Sequence, residues 1–312
     1  MRFLITGGLG YVGGRLAQHL FQEGHEVRIT TRHLPSSCPE WSKKWDICQV
    51  SSSDESSWAR ALQDIDFVYH LASPDAKAAA LDPCSTLKAN IEMIWTLLEA
   101  VNKLKHNIPV VNISTFHVYG SRARGVIKES ICPQPVHPYA IGHFYSEIIA
   151  QRFYELKKNQ ILNIRLSNGF GAPVALDSAN WSLIFNDLCM QAATSSQLRL
   201  NSSGRQKRNF ITLEDMSRAL LFVATHIENW PDDRTLHIGG KNHWSMKEVA
   251  EKVAERSEKI LSVKPKIITP QNNSEKENQF VIFDVSRLEK MGFFWRDRFD
   301  FEIDNTLKLC MK

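Results

Sequence analysis

Paired cysteines are missing from this sequence. Cys38, Cys48, Cys84, Cys132, Cys189 and Cys310 stand far apart with no C-x-x-C pair and no metal-ligand spacing. Reduced thiols in an intracellular chain are therefore the expected state, with no metal site. Long apolar runs are missing too, and the first strand pattern begins at once, at Phe3. Neither a membrane span nor a signal peptide is expected, and the reading is a cytoplasmic protein. Charge of one sign is scarce: 38 Lys and Arg face 34 Asp and Glu, a net charge of +4. The densest basic stretch, Arg199, Arg205, Lys207 and Arg208, has no aromatic-interleaved stripe beside it. It suits an anionic small molecule and not nucleic acid.

What is present starts at the first residues. Phe3-Leu4-Ile5 reads as a buried strand, Gly7-x-x-Gly10-x-x-Gly13 follows, and a helical pattern continues through Leu16, Ala17 and Leu20. A glycine motif in this strand–turn–helix context signals dinucleotide binding. Glycine lets the backbone turn tightly and approach a pyrophosphate, which the helix start attracts. Strand and helix signals then alternate. Strands are expected over 27–30, 67–72, 110–114 and 161–166, and helices over 87–104 and 139–156. That alternation predicts an α/β chain, a doubly wound parallel Rossmann sheet with a smaller C-terminal lobe. The expected boundaries are 1–171 for the dinucleotide-binding domain, with 206–240 returning to it. Residues 172–205 and 241–312 are expected to form the substrate lobe, and 245–312 reads as irregular.

Four further segments follow in order: His70-Leu71-Ala72, Ser114-Thr115-Phe116-His117-Val118-Tyr119-Gly120, Tyr139-x-x-x-His143-x-x-x-Glu147 and Arg208-Asn209-Phe210-Ile211 with Glu214-Asp215. With the N-terminal glycines they resemble the extended short-chain dehydrogenase/reductase family of nucleotide-sugar epimerases, dehydratases and ketoreductases. The resemblance implies a hydride exchanged with a nicotinamide cofactor while Thr115 fixes a sugar hydroxyl and Tyr139 moves its proton. Gly7, Gly10, Tyr11, Val12, Gly13, Leu71, Ala72, Tyr139 and His143 become cofactor contacts by the same carry-over. His117, Asn168 and Arg208 become substrate contacts, Arg208 as a clamp on a nucleotide diphosphate. The paired helices 87–104 and 139–156 imply a homodimer, exposing Ile94, Trp95, Phe144 and Ile148.

Several positions depart from the family pattern. Where it carries a lysine four residues after the tyrosine, this chain has His143, so the phenolate loses a fixed ammonium. Dehydratases follow the catalytic threonine with Asp-Glu; Phe116 and His117 stand here, so dehydration is not expected. NAD sites place an acid after the second strand, against the ribose 2′-hydroxyl. Thr30-Thr31-Arg32-His33 offers none, and Arg32, assisted by Arg15, suits a 2′-phosphate. NADP(H) is thus favoured over NAD(H). For the adenine, Ser51-Ser52 or, with a shifted loop, Asp46-Ile47 are the candidates. Lys276 is the only cation near the place where relatives carry a second arginine. The resulting expectation is an NADP(H)-dependent 4-ketoreductase or epimerase acting on a nucleotide-linked sugar. Its alternative is a catalytically impaired cofactor-binding sensor of the same fold.

Overall fold

The computed structural model describes residues 1–51, 54–157, 159–270 and 281–311. Lys276 and Ser52 lie outside them. Two compact units divide the chain. The first comprises Met1–Arg122, Glu129–Leu166 and Leu220–His237; the second comprises Ala123–Lys128, Ser167–Ala219 and Ile238–Lys312.

In the first unit, β1 (Arg2–Thr6) buries Phe3, Leu4 and Ile5 consecutively, as a central parallel strand covered on both faces requires. After it come α1 (Tyr11–Gln22), β2 (Glu26–Thr31), β3 (Asp46–Gln49), α2 (Glu55–Leu62), β4 (Phe67–His70), α3 (Ala76–Leu81), α4 (Pro83–Asn102) and β5 (Val110–Thr115). Beyond β6 (Gly125–Ile127), a strand of the second unit, the chain forms α5 (Pro138–Lys157) and β7 (Ile161–Leu166).

The second unit continues with β8 (Asn168–Phe170), α6 (Ile184–Thr194), β9 (Gln197–Arg199) and β10 (Lys207–Thr212). Helix α7 (Leu213–Thr225) then leads to β11 (Thr235–Ile238), the last strand of the large sheet. That sheet has the order β11-β7-β5-β4-β1-β2-β3. Its registers are parallel across β1–β2, β1–β4, β2–β3, β4–β5 and β5–β7. Strand order reverses at β1, so the turns after β1 and β4 share the crevice where such sheets bind ligands. One edge strand, β3, was not anticipated: it is short and only partly buried, and Asp46 and Gln49 leave it little apolar signal.

The remaining elements are β12 (His243–Ser245), α8 (Met246–Leu261), β13 (Lys266–Ile268), β14 (Val281–Phe283), α9 (Ser286–Lys290) and α10 (Phe299–Cys310). A three-stranded sheet β12-β10-β8 is joined by the pairs β13–β9 and β14–β6. Phe170, Phe185 and Phe210 centre the core of this unit, Phe170 and Phe185 stacking with centroids 3.9 Å apart. The described residues of 245–312 are therefore not irregular. Ser245 caps α8 reciprocally with Glu248, and Val249, Ala250, Val253 and Ala254 form its buried stripe. The expected return of 206–240 divides between the units. Residues 206–219 belong to the second, because β10 pairs with β8 and β12, while 220–237 join the first.

The exposed faces of α4 and α5 also differ from expectation. Ile94 is completely buried, in one core cluster with Leu97 and Leu98, and Phe144 is half-buried. Trp95 and Ile148 are 37% and 49% exposed, and Ile91 and Tyr145 are exposed beside them.

Candidate active site

The turn after β1 is shaped by contacts that only glycine permits. Gly7 has φ +71°, and a Cβ there would lie 2.9 Å from the Ala72 nitrogen and the Leu71 carbonyl carbon. A Cβ on Gly13 would come within 2.3 Å of the Gly7 oxygen. Thr6, not singled out from the sequence, locks this turn to the end of β4. Its Oγ1 accepts from the Leu71 and Ala72 N–H groups, both at 3.1 Å, and bonds His70 Nδ1 at 2.8 Å. Gly10 precedes α1 with no side-chain cap, and the first turn, with Tyr11 and Val12, holds no acid. The positive end of the helix is left for an external anion, so these residues fit a dinucleotide pyrophosphate.

Arg32 directly follows β2 and is exposed. Among the described residues no carboxylate pairs with it. Arg15, half-buried on α1, already has a partner. Asp46 opens β3 opposite Arg28, which bonds it at 2.7 Å, while the Thr31 end of β2 faces Gln49.

Thr115 ends β5, and Tyr139 and His143 lie one helical turn apart on α5. The first unit brings them together. The Tyr139 ring meets the His143 ring edge to face, with centroids 4.6 Å apart. Burial pushes the phenol's pKa above its ordinary value, the Thr115 hydroxyl opposes the rise, and the Asp75 charge adds to it. His143 is 6% exposed, and its Nε2 has no hydrogen-bond partner among the described residues. Burial brings the imidazole down to about 4, against a hydrogen bond to the Ile113 backbone and with the His117 ring lowering it further. His70 falls to about 3, first through burial and then through His143. His117 is exposed; its N–H donates to Thr115 Oγ1 at 3.3 Å, and its ring packs on Phe116.

Asn168 and Arg208 belong to the second unit and sit on paired strands, with Phe210 of β10 opposite Asn168 of β8. The Asn168 amide donates to the Asn209 carbonyl at 2.9 Å, a bond that ties β8 to β10. Arg208 donates to Gln206 Oε1 at 3.2 Å, and burial lowers its pKa. Among the described residues no carboxylate answers its charge.

Residues 3–239 match the NAD dependent epimerase/dehydratase family. The chain belongs to this family. A UDP-N-acetyl-alpha-D-glucosaminuronate decarboxylase of Bacillus cytotoxicus is 26% identical over 309 residues, 94% of this chain and 92% of that protein. Decarboxylation is a reaction type that the residues alone did not bring forward. The UDP-glucuronic acid 4-epimerase of Bacillus cereus, solved with UDP-glucuronic acid and NAD, superposes with TM-score 0.79 at 20% identity, covering 99% of each chain. RMD of Pseudomonas aeruginosa, solved with NADPH, superposes with TM-score 0.78 at 20% identity over 99% of this chain and 98% of the other. Both likenesses establish the α/β Rossmann-like fold. Among the described residues no helix is long and apolar enough to cross a membrane.

Proposed function

We propose that this family member moves a hydride between NADP(H) and a carbinol or keto carbon of a nucleotide-linked sugar, as a 4-ketoreductase or an epimerase. The observation that carries this reading is the edge-to-face contact of the Tyr139 ring with the buried His143 ring, centroids 4.6 Å apart, in the unit where Thr115 ends β5. The cofactor would supply the hydride chemistry at its nicotinamide ring. Everything else falls to side chains. Thr115 orients the substrate oxygen toward Tyr139, and the phenol gives or takes the proton there. With a histidine and not a lysine at position 143, and with its own pKa raised, Tyr139 is protonated at neutral pH. It is thereby ready to donate, which favours reduction of a ketone.

Arg32 supports NADP(H), since an exposed cation in place of the usual acid suits a 2′-phosphate. Arg208 supports a nucleotide diphosphate, whose anionic oxygens would answer its unpaired charge. Trp95 and Ile148 on α4 and α5 support a homodimer through these helices.

Incubation with a panel of nucleotide-linked sugars tests the reading. NADPH is supplied to keto sugars, and the oxidised cofactor, NADP+ or NAD+, to sugars whose C4 carbinol must first lose a hydride. Net NADPH consumption marks a ketoreductase, and inversion without consumption marks an epimerase. Carbon dioxide from a nucleotide-linked uronic acid identifies a decarboxylase and displaces both, because a ketone at C4 lies β to the C6 carboxylate. Tight cofactor binding with no turnover favours the sensor.

A further inference from the structure

The buried face of α5 that carries Tyr139 and His143 continues into an ionic network. Glu147 stands one turn past His143, and Arg165 on β7 grips its carboxylate with a forked contact. Nε lies 3.1 and 3.2 Å from the two oxygens, and Nη2 lies 2.7 Å from Oε2. Both side chains are only 5% exposed. Burial opposes the guanidinium charge, yet Glu147, followed by Tyr119, holds its pKa above the ordinary value. Arg165 Nη1 donates to the Tyr119 hydroxyl at 2.6 Å and to the Glu129 carbonyl at 3.1 Å. The Tyr119 oxygen is thus left to direct its own proton to His237 Nε2, 2.5 Å away.

A neutral chain of bonds holds the same helix nearer the site. Ser146 Oγ donates to the His143 carbonyl at 2.7 Å and accepts from Asn112 Nδ2 of β5 at 3.2 Å. Asn112 also donates to Asn163 Oδ1 of β7 at 2.8 Å. Every partner of α5 in these contacts comes from a sheet strand, and each bond is satisfied in one geometry. Apolar packing is non-directional and tolerates small slips of a helix along the sheet. A bidentate guanidinium–carboxylate pair does not.

We propose that Arg165 is a positioning residue, which through Glu147 fixes the height and rotation of α5 and so the places of the Tyr139 phenol and the His143 imidazole. This rests on the reading of those two side chains as the site. A purely structural role makes a different prediction, because replacing both members of a buried ion pair by apolar side chains often leaves a fold as stable as before.

The test compares wild type, Arg165→Met, Arg165→Met/Glu147→Met and Arg165→Lys. It measures thermal unfolding, titration of Tyr139 by carbon-13 tyrosine NMR (assigned with Tyr139→Phe), and NADPH affinity by calorimetry. The single Met variant loses stability because it strands the Glu147 carboxylate. The double variant regains the wild-type melting temperature, yet its Tyr139 titration moves back toward the ordinary phenol range and NADPH binds about tenfold more weakly. Arg165→Lys, which keeps the charge without the fork, falls between. A refolded double variant with wild-type Tyr139 titration and cofactor affinity overturns the proposal. If the double variant does not fold, Arg165→Lys decides: a shifted titration supports positioning and an unshifted one ends it. No readout needs turnover, so a wild type inactive on every nucleotide sugar refutes the proposed function and leaves this result standing.

Discussion

The rings of Tyr139 and His143 meet edge to face, with centroids 4.6 Å apart and planes at 72°. Within this family that second position is the place of an ammonium group, so an aromatic contact has replaced a charge. Burial keeps the imidazole uncharged, and nothing from α5 draws the Tyr139 proton off. His143→Lys is expected to restore that field and to raise the oxidative rate near pH 7–8 more than the reductive rate. Tyr139→Phe is expected to abolish both. Rate profiles from pH 6 to 10 on any accepted substrate check this. The oxidative limb of the wild type should rise only at alkaline pH and move toward neutrality in the lysine variant. Equal gains in both directions would remove the proton argument.

Stability should depend on pH through the same histidines. The folded pKa of His143 is lowered to about 4 and that of His70 to about 3, each chiefly by burial, from an ordinary 6.5. Below about 6.5 the unfolded chain binds protons that the fold excludes, so stability is full above that pH. It declines as pH falls through about 6.5 toward about 4, and for His70 on toward about 3. Each proton contributes a slope of about 1.4 kcal/mol per pH unit. Denaturant unfolding at pH 7.5 and pH 5 measures the loss. His25 and His243 are also lowered by burial and add to the slope. His143→Gln removes one proton and should lower the slope by at most about 1.4 kcal/mol per pH unit; an unchanged slope means the imidazole already carries its charge in the fold.

Much of this arrangement was legible in the residues because the signals were local and repeated. The glycines after a three-residue apolar strand, the alternation of strand and helix, and the Tyr139-to-Glu147 spacing each name a helix face or a turn. What escaped depends on distant contacts. Nothing around Thr6 announces that its hydroxyl collects two N–H groups from residues 71 and 72. Ile94 fits an exposed stripe by sequence, yet it packs in the core cluster with Leu97, Leu98 and Val101. Strand β3 is too short and polar to stand out beside its loop. Helix α8 carries a local signal of its own, since Ser245 and Glu248 form a capping box, and Arg256 reaches Asp300 at 3.1 Å, tying α8 to α10.

The backbone turn after β1 should tolerate no side chain at Gly13. A methyl group there would press on a carbonyl oxygen 2.3 Å away, and that oxygen is fixed because Gly7 accepts the Gly10 N–H at 3.0 Å. Gly13→Ala is expected to cost about 1–3 kcal/mol of stability through overpacking and to weaken cofactor binding severely. Gly24→Ala is a useful contrast, since a Cβ at Gly24 meets nothing within 4 Å although φ is +83°. Its penalty should be the backbone term alone, with cofactor affinity intact. Calorimetry on both variants separates the two effects. Wild-type affinity in Gly13→Ala would place the cofactor away from this turn.

The proposed homodimer makes a prediction on α4 and α5. Trp95 and Ile148 are exposed together with Ile91 and Tyr145, and the Arg152 guanidinium lies 5.4 Å from the centre of the Trp95 ring. A lysine at position 148 would place an unpaired charge in the middle of such an interface. Light scattering at micromolar concentration should give twice the chain mass for wild type and the chain mass for Ile148→Lys, with unchanged circular dichroism. A monomeric wild type removes the interface.

Cofactor preference rests on one side chain. Arg32 follows β2, is exposed, and has no carboxylate partner among the described residues. A ribose 2′-hydroxyl gains little from a guanidinium, whereas a 2′-phosphate gains a charge-assisted, forked hydrogen bond. Such a bond contributes roughly 1.5–3 kcal/mol, or about one to two decades of affinity. NADPH is therefore expected to bind wild type ten- to a hundredfold more tightly than NADH, by that arithmetic. Arg32→Ala should erase the difference by weakening NADPH alone, because the NADH complex never used the side chain. Salt adds an independent check, since a contact at an exposed site is screened and the NADPH advantage should shrink as ionic strength rises. Calorimetric titration of both cofactors into both proteins at low and high salt decides the matter. If wild type binds the two equally, or if Arg32→Ala weakens them alike, Arg32 does not read the 2′-phosphate.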